Sequence, residues 1–376
     1  MPPLTLPNEA MLAERQAQLH QALTQHPLLQ TVAVAVKAHH GHAYWVGGCL
    51  RAPLLGLPYS PDWDALLLNA NAEAVATTVA ETLTQQGYAV RLVTLDAVWG
   101  IYRVVVLPPH PSLSDTLALY FQPLAESPIY LDIAQALNNR LEDDLLRRDL
   151  TLNALAYDMH APDETQAWVD AVGGIDHVQQ GVLAGVQARN FTDDPLRVLR
   201  VARFTATLPP FAPNPETLAG MQPAVALLPN VAPERCQAEL LKLVQGVAVL
   251  AGVRVLQACG ALPVLFPALA TEADQHSALA RLQRLEALAT VVPWVRPLKP
   301  LLALACLHGV DAVGNTDSPK TLEAHLQQAA YPNSVIKPLI KLALLNRGAV
   351  LPSLASLSWL LQGTVPEASH LNEKEA

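Results

Sequence analysis

The chain has 376 residues, of which 51% are hydrophobic and only 15% charged, with a net charge of −9. That length and composition indicate a folded protein of two to three domains and argue against a disordered one. The acidic balance argues against a general nucleic-acid binder, no apolar run reaches membrane-span length, and four scattered cysteines (Cys49, Cys236, Cys259, Cys306) lack metal-ligand spacing and point to reduced thiols in a cytoplasm.

Met1-Pro2-Pro3-Leu4 lacks a basic region followed by an apolar core, so no signal peptide is expected. Residues 8 to 40 carry apolar positions at helical spacing, with Gly41 as a stop. From His42 to Ile133 strands and helices alternate. Strands are expected near Ala43–Val46, Asp64–Leu68, Ala89–Val93, Ile101–Leu107 and Ile129–Ile133, with a helix over Asn71–Gln86. Pro108 to Pro123 reads as a loop that could move at a site. From Leu141 onward nearly everything reads as helix. Asp143 and Asp144 favour the start of a helix that contains Arg147 to Ala156, and Asp193-Asp194-Pro195 marks another helix start. Residues 236 to 376 are rich in Leu and Ala with Pro-punctuated breaks, which reads as a helical body. The fold class expected is α+β: a mixed β-sheet head followed by an all-helical neck and body.

The chemistry begins at Val46-Gly47-Gly48-Cys49-Leu50-Arg51. A strand ends in a Gly-Gly turn, and a short helix starts there. Backbone N–H groups at a helix start favour phosphate, and Arg51 can grip the same phosphates in a fork. The next strand carries Asp62 and Asp64 at i and i+2, so both carboxylates share one face and repel. A divalent cation with oxygen ligands relieves that repulsion, and Mg²⁺ also carries nucleotide phosphates. Trp63, between the acids, should face the core. His39, His40 and His42 form a cluster that no Cys or acid joins, so they read as a solvated helix end.

Gly-Gly-x-x-Arg followed by Asp-x-Asp resembles the class II tRNA nucleotidyltransferase and bacterial poly(A) polymerase family. The likeness continues in order through Tyr130-Leu131-Asp132-Ile133-Ala134, Arg147-Arg148-Asp149-Leu150-Thr151-Leu152-Asn153-Ala154, Asp170-Ala171-Val172-Gly173-Gly174 and Asp193-Asp194-Pro195-Leu196-Arg197, to Glu234-Arg235 with Glu239. It covers roughly residues 40 to 245. The sequence departs from the family's pattern at Ala52 (Asp in the family), Asp193 (Glu) and Ala184 (Arg).

The resemblance implies a catalytic, metal-binding set of Asp62, Asp64 and Asp132 with Mg²⁺ as cofactor. It implies a nucleotide-binding set of Gly47, Gly48, Arg51, Arg148, Asp149, Asn153, Asp194, Arg197, Arg200 and Arg203. Without it, Asp132 reads as a surface acid on an edge strand. Arg148, Asp149 and Asn153 are expected on one helix, with Asp149 and Asn153 on a shared face; the resemblance implies that this block contacts the nucleotide's sugar, with a carboxylate accepting from the ribose 2′-hydroxyl. Asp194 and Arg197, at i and i+3, offer an acceptor beside a two-donor fork. That pattern suits the pairing edges of cytosine and adenine, the alternative being a capping Asp with an intrahelical pair. Arg200 and Arg203 would touch phosphate or pack against neighbouring acids.

The domains expected are an N-terminal helical extension (1–41), a nucleotidyltransferase head (42–158), a nucleotide-reading neck (159–245) and a tRNA-binding body (246–376). The function implied is template-independent addition of CMP and AMP, from CTP and ATP, to the 3′ end of the tRNA acceptor stem in the cytoplasm, with no membrane involved. The alternatives are CC-only or A-only addition, poly(A) synthesis, or a catalytically impaired RNA-binding paralogue motivated by Ala52.

Overall fold

A computed structural model describes residues 4–108, 127–291, 293–308 and 319–345. Most of the expected Pro108–Pro123 loop lies outside them. The described residues form two compact units. One holds the residues up to Asn190 together with Pro210–Thr217; the other holds Phe191–Pro209 and the residues from Leu218 on.

The first unit opens with α1 (Glu9–Gln25) and α2 (Pro27–Ala38). Asn8 caps α1 by accepting from the Met11 N–H at 2.9 Å, and α2 starts on Pro27, which has no N–H to leave unpaired. At Gly41 a Cβ would lie 2.5 Å from that of Ala70, so the chain can enter the sheet there only without a side chain.

The sheet has seven strands: β1 (His42–Val46), β2 (Asp62–Leu68), β3 (Ala89–Asp96), β4 (Ile101–Leu107), β5 (Ile129–Gln135), β6 (Leu155–Asp158) and β7 (Trp168–Asp170). Their order is β3-β4-β5-β2-β1-β6-β7. The β2–β5 pair is parallel and the other pairs are antiparallel. Between β1 and β2 lies α3 (Gly48–Leu54), and between β2 and β3 lies α4 (Ala72–Gln85), capped by Asn71. The core face of β1 and β2 is built on Trp45 and Trp63, both fully buried and in edge contact at 5.6 Å between ring centres. The alternation that buries Trp63 turns Asp62 and Asp64 to the opposite face.

Two expectations fail between Leu141 and Asp170. First, β6 and β7 are strands, not helix. An apolar run such as Leu152-Asn153-Ala154-Leu155-Ala156 cannot be told from a buried helix by periodicity alone. Here it supplies the second hydrogen-bonding partner that β1 needs. Second, the helix that begins at Leu141, α5, ends at Leu146. To continue, it would need the Leu150 N–H on the Leu146 carbonyl. Instead the Leu150 N–H bonds to the Asp149 side chain at 2.8 Å, and the Leu146 carbonyl accepts from the Asn190 amide at 2.8 Å. Short polar side chains that bond locally to the backbone compete with helix in this way. Thr151–Asn153 then forms a single 3₁₀ turn. Arg148, Asp149 and Asn153 therefore do not share a helix.

The second unit is helical. Its elements include Leu196–Thr207, Pro233–Gln245, Val249–Ala258, Glu272–Val291 and Lys299–Leu307. Leu196–Thr207 packs on the next two: at Gly252 a Cβ would lie 2.5 Å from the Ala202 carbonyl oxygen. The architecture is α+β, a mixed sheet followed by helices. No helix among the described residues is long and apolar enough to cross a membrane.

Candidate active site

The site of the first unit is assembled where β1 and β2 present the Gly-Gly turn and the two acids. Gly47 has φ +80°, a conformation that favours glycine. A Cβ at Gly47 would stand 3.1 Å from Arg148 Nη1 and 3.4 Å from Asp64 Oδ2, so the turn, the arginine and the acid converge on one spot. Gly48 opens α3.

Asp64 and Asp132 are register partners on the parallel strands β2 and β5. Asp132 is thus on an interior strand of the sheet and not on an edge. Asp62, two residues before Asp64, is the most exposed of the three acids, its side chain 52% accessible. Burial pushes the Asp64 carboxyl up to about 6, and Asp132 and Asp62 add to that shift while Arg148 and Arg103 oppose it. Such a carboxylate is short of positive charge. Arg103 of β4 supplies some of it, donating Nε and Nη2 to the two oxygens of Asp132 at 2.6 and 2.7 Å and reaching to 3.8 Å from Asp62. The oxygen-only donor set and the excess of negative charge fit a hard divalent cation. Burial pushes the neighbouring Cys49 thiol up to about 12, which removes it as a nucleophile.

The Arg147–Asn153 segment closes the site from the other side. Asp144, buried at 2% exposure, accepts from Arg147 at 2.6 Å and from Arg148 at 3.2 Å. Arg148 Nη1 also donates to the Asn153 carbonyl at 3.2 Å. Arg51 donates to the Asn153 side-chain oxygen, and the Asn153 amide donates to Asp149 at 2.9 Å. Asn190, 1% exposed, donates one amide to the Leu146 and Arg148 carbonyls at 2.8 and 2.9 Å and holds the turn. Behind it, Asp170 accepts from the Gly174 and Ile175 N–H groups at 2.8 and 2.9 Å. A Cβ at Gly174 would meet the Thr151 carbonyl oxygen at 2.5 Å. Ala52, the departure in the first motif, is buried in α3.

Of the sequence-derived residues, Gly47, Gly48, Arg51, Asp62, Asp64, Asp132, Arg148, Asp149 and Asn153 all belong to this site. Asp194, Arg197, Arg200 and Arg203 belong to the other unit. There Asp194 precedes the helix that holds the three arginines. Its carboxylate is taken by Arg235 at 3.2 Å and also accepts from the Leu196 N–H at 3.3 Å. Arg203 pairs with Glu239 at 2.7 Å and lies 3.9 Å above the Phe204 ring, so it packs against an acid as one of its readings held. Sequence reasoning missed Arg103, Asp144 and Asn190. Asp144 could have been found from its spacing to Arg147 and Arg148. Arg103 left a weaker signal, a lone charge in the apolar strand Ile101–Leu107. Asn190 left none.

Residues 43–184 match the poly A polymerase head domain, and residues 210–272 match the probable RNA and SrmB-binding site of polymerase A. These matches liken the chain to the tRNA nucleotidyltransferase family. It is 36% identical over 232 residues to a multifunctional CCA protein of Methylococcus capsulatus, covering 60% of this chain and 48% of that one. It is 32% identical over 243 residues to a CCA-adding enzyme of Coxiella burnetii, covering 64% and 58%. The chain thus spans about half the length of these relatives. Among solved structures it resembles the Thermotoga maritima CCA-adding enzyme complexed with tRNA, at 21% identity and TM-score 0.61, over 88% of this chain and 71% of that one. It also resembles a tRNA nucleotidyltransferase complexed with a primer tRNA and an incoming ATP analogue, at 21% identity and TM-score 0.61, over 89% and 87%. At that identity the likeness establishes the fold. The head-domain match, with the cluster of acids at the site, implies a divalent metal.

Proposed function

We propose that this chain is a member of the tRNA nucleotidyltransferase family, an enzyme that adds CMP and AMP to the 3′ end of tRNA without a template, using CTP and ATP in the cytoplasm and releasing pyrophosphate. The observation that carries the proposal is the convergence of Asp64, Asp132, Arg148 and the Gly47 turn, with Asp62 on the same face. Asp62, Asp64 and Asp132 would hold Mg²⁺, which when bound lowers the pKa of the attacking 3′-hydroxyl and neutralises charge on the leaving pyrophosphate. The protein's own share is positioning and electrostatics. The Gly47–Gly48 turn lets backbone N–H groups approach the triphosphate, with Arg51 and Arg148 as cationic donors beside it. Asp149 and Asn153, locked together, would accept from the ribose 2′-hydroxyl. Asp194 and Arg197 would read the pairing edge of the base, with Arg200 and Arg203 supporting them. For that, Asp194 must exchange Arg235 for a nucleobase amino group, which a half-exposed pair at 3.2 Å permits. We keep residues 1–41, 42–158, 159–245 and 246–376 as functional segments: extension, head, neck and tRNA-binding body.

The test uses tRNA transcripts lacking all, two or one of the terminal CCA nucleotides, with each nucleotide supplied singly and in combination and the products sequenced. The proposal expects C, C and A to be added in order, then a stop. Long A-tails would make the chain a poly(A) polymerase. Products ending at CC, or addition only to CC-ended tRNA, would reassign it to a partial activity. No product on any transcript would leave it an RNA-binding paralogue.

A further inference from the structure

At the end of the sheet away from Gly47, the fold supplies the acid that the histidine-rich segment lacks in sequence. Strand β1 begins at His42 and the antiparallel β6 ends at Asp158, which pairs in register with Tyr44, two residues from His42, and His160 comes two residues after Asp158. His42 Nε2 lies 2.9 Å from Asp158 Oδ1, and the His160 backbone N–H donates to the same oxygen at 2.8 Å. The His160 ring stands 5.0 Å from that of His42 between centres, with its Nε2 3.1 Å from the Ala33 carbonyl of α2. Only an N–H can bond to a carbonyl oxygen, so Nε2 carries the hydrogen and Nδ1 of a neutral ring carries the lone pair. That Nδ1 is buried and has no hydrogen-bond partner.

We infer that His42, Asp158 and His160 form a binding site for one transition-metal dication of the zinc class, separate from any cation held by the three acids of the active site. One ligating atom from each residue can be chosen so that all three lie within 4.8 Å of one another. Donors about 2.0–2.1 Å from Zn²⁺ stand roughly 3.4 Å apart, so binding draws them in by roughly 1 Å, within reach of ring and carboxylate rotation. Two imidazoles and one carboxylate select Zn²⁺, Co²⁺ or Ni²⁺ over Mg²⁺, which wants oxygen throughout. A simple His42–Asp158 ion pair would explain the first contact. It would not explain a buried lone pair on His160 whose opposite ring nitrogen is oriented by a backbone carbonyl, the arrangement that metal-bound histidines adopt. The His42 side chain is 37% exposed, which leaves a path for the ion and for water to complete its coordination. Bound there, the ion would clip the start of β1 to the end of β6 and, through Ala33, to α2, so its role is structural.

The test titrates Co²⁺ into the metal-free full-length protein and follows visible absorption. A band saturating at one equivalent is expected, both in the parent and in Asp64→Ala. It should be displaced by Zn²⁺ but not by Mg²⁺. His160→Ala and His42→Ala should weaken Co²⁺ binding at least roughly tenfold, while Mg²⁺-supported nucleotide addition by His160→Gln stays at the parent rate. No saturable band in the parent, or an unchanged band in His160→Ala, overturns the site. Should the alanine variants fail to fold, X-ray absorption on the zinc-loaded parent decides. Scattering from two imidazoles supports the site, and oxygen-only coordination overturns it.

Discussion

The two units hold their motif residues in different ways. In the sheet unit, Asp64 and Asp132 are placed by strand register. Gly47, Arg148, Asn153 and Asp149 are locked by contacts that leave little room to move. In the helical unit, Asp194 is held by the Leu196 N–H and by an ion pair to Arg235, whose side chain is 55% exposed. A charged pair open to water is worth little and exchanges readily. On the proposed function, groups that meet reacting atoms at fixed distances are set by backbone, while groups proposed to choose between bases are held by bonds a ligand can replace.

The largest effect expected is on the chemistry. Asp62→Ala and Asp64→Ala should each lower single-turnover nucleotide addition by several kcal/mol of transition-state stabilisation, about three orders of magnitude or more, with the fold retained. A near-parent rate in either variant would mean that register has not placed a catalytic group. Asp144→Ala should come next, because it strips a buried carboxylate from two arginines. The loss should be about 3–5 kcal/mol of stability, read by urea denaturation. A loss below about 1 kcal/mol would show the sheet-side network to be as dispensable as a surface pair.

The pH dependence tests the same contrast. Asp64 is raised from an ordinary carboxylate value to about 6, so between about pH 4 and 6 the folded state binds more protons than the unfolded. Stability of the metal-free protein therefore falls as pH rises through that window, by roughly 3 kcal/mol for a shift of about two units. Asp64→Asn should lose that slope and be the more stable protein at pH 8. Parallel stability curves for parent and variant would refute the buried-charge account.

On the helical side, Arg197→Ala should relax nucleotide selection by about 1–3 kcal/mol, raising UTP or GTP misincorporation by roughly one to two orders of magnitude. Selection unchanged with a lowered melting temperature would leave Arg197 a packing residue. The smallest effect belongs to Arg235→Ala, at about 0–1 kcal/mol of stability. A larger cost would mean that the Asp194 pair is not exchangeable, and the proposed base reading would go with it.

Much of the fold was legible because its signals are local. Strands from Ala43 to Ile133 show apolar patterning, Asn8 and Asn71 are helix caps, and Asp62-Trp63-Asp64 alternates by the period of a strand. The expectation for Arg147–Ala156 failed because what ends α5 is Asn190, whose amide takes a carbonyl that the helix would have used. Tertiary competition of this kind leaves no trace in local spacing. Arg103 reaches Asp132 only because sheet order puts β4 beside β5.

By itself the sequence determined which residue types lie on which face of each strand, since side-chain alternation is a property of the backbone. It also determined the motif order that carries the family resemblance. Only the tertiary structure decided which charges meet. Asp132 received Arg103, Asp194 received Arg235, and His42 received Asp158 and His160. Charge pairing depends on distance in space, and strand order and helix packing set that distance between residues far apart in the chain.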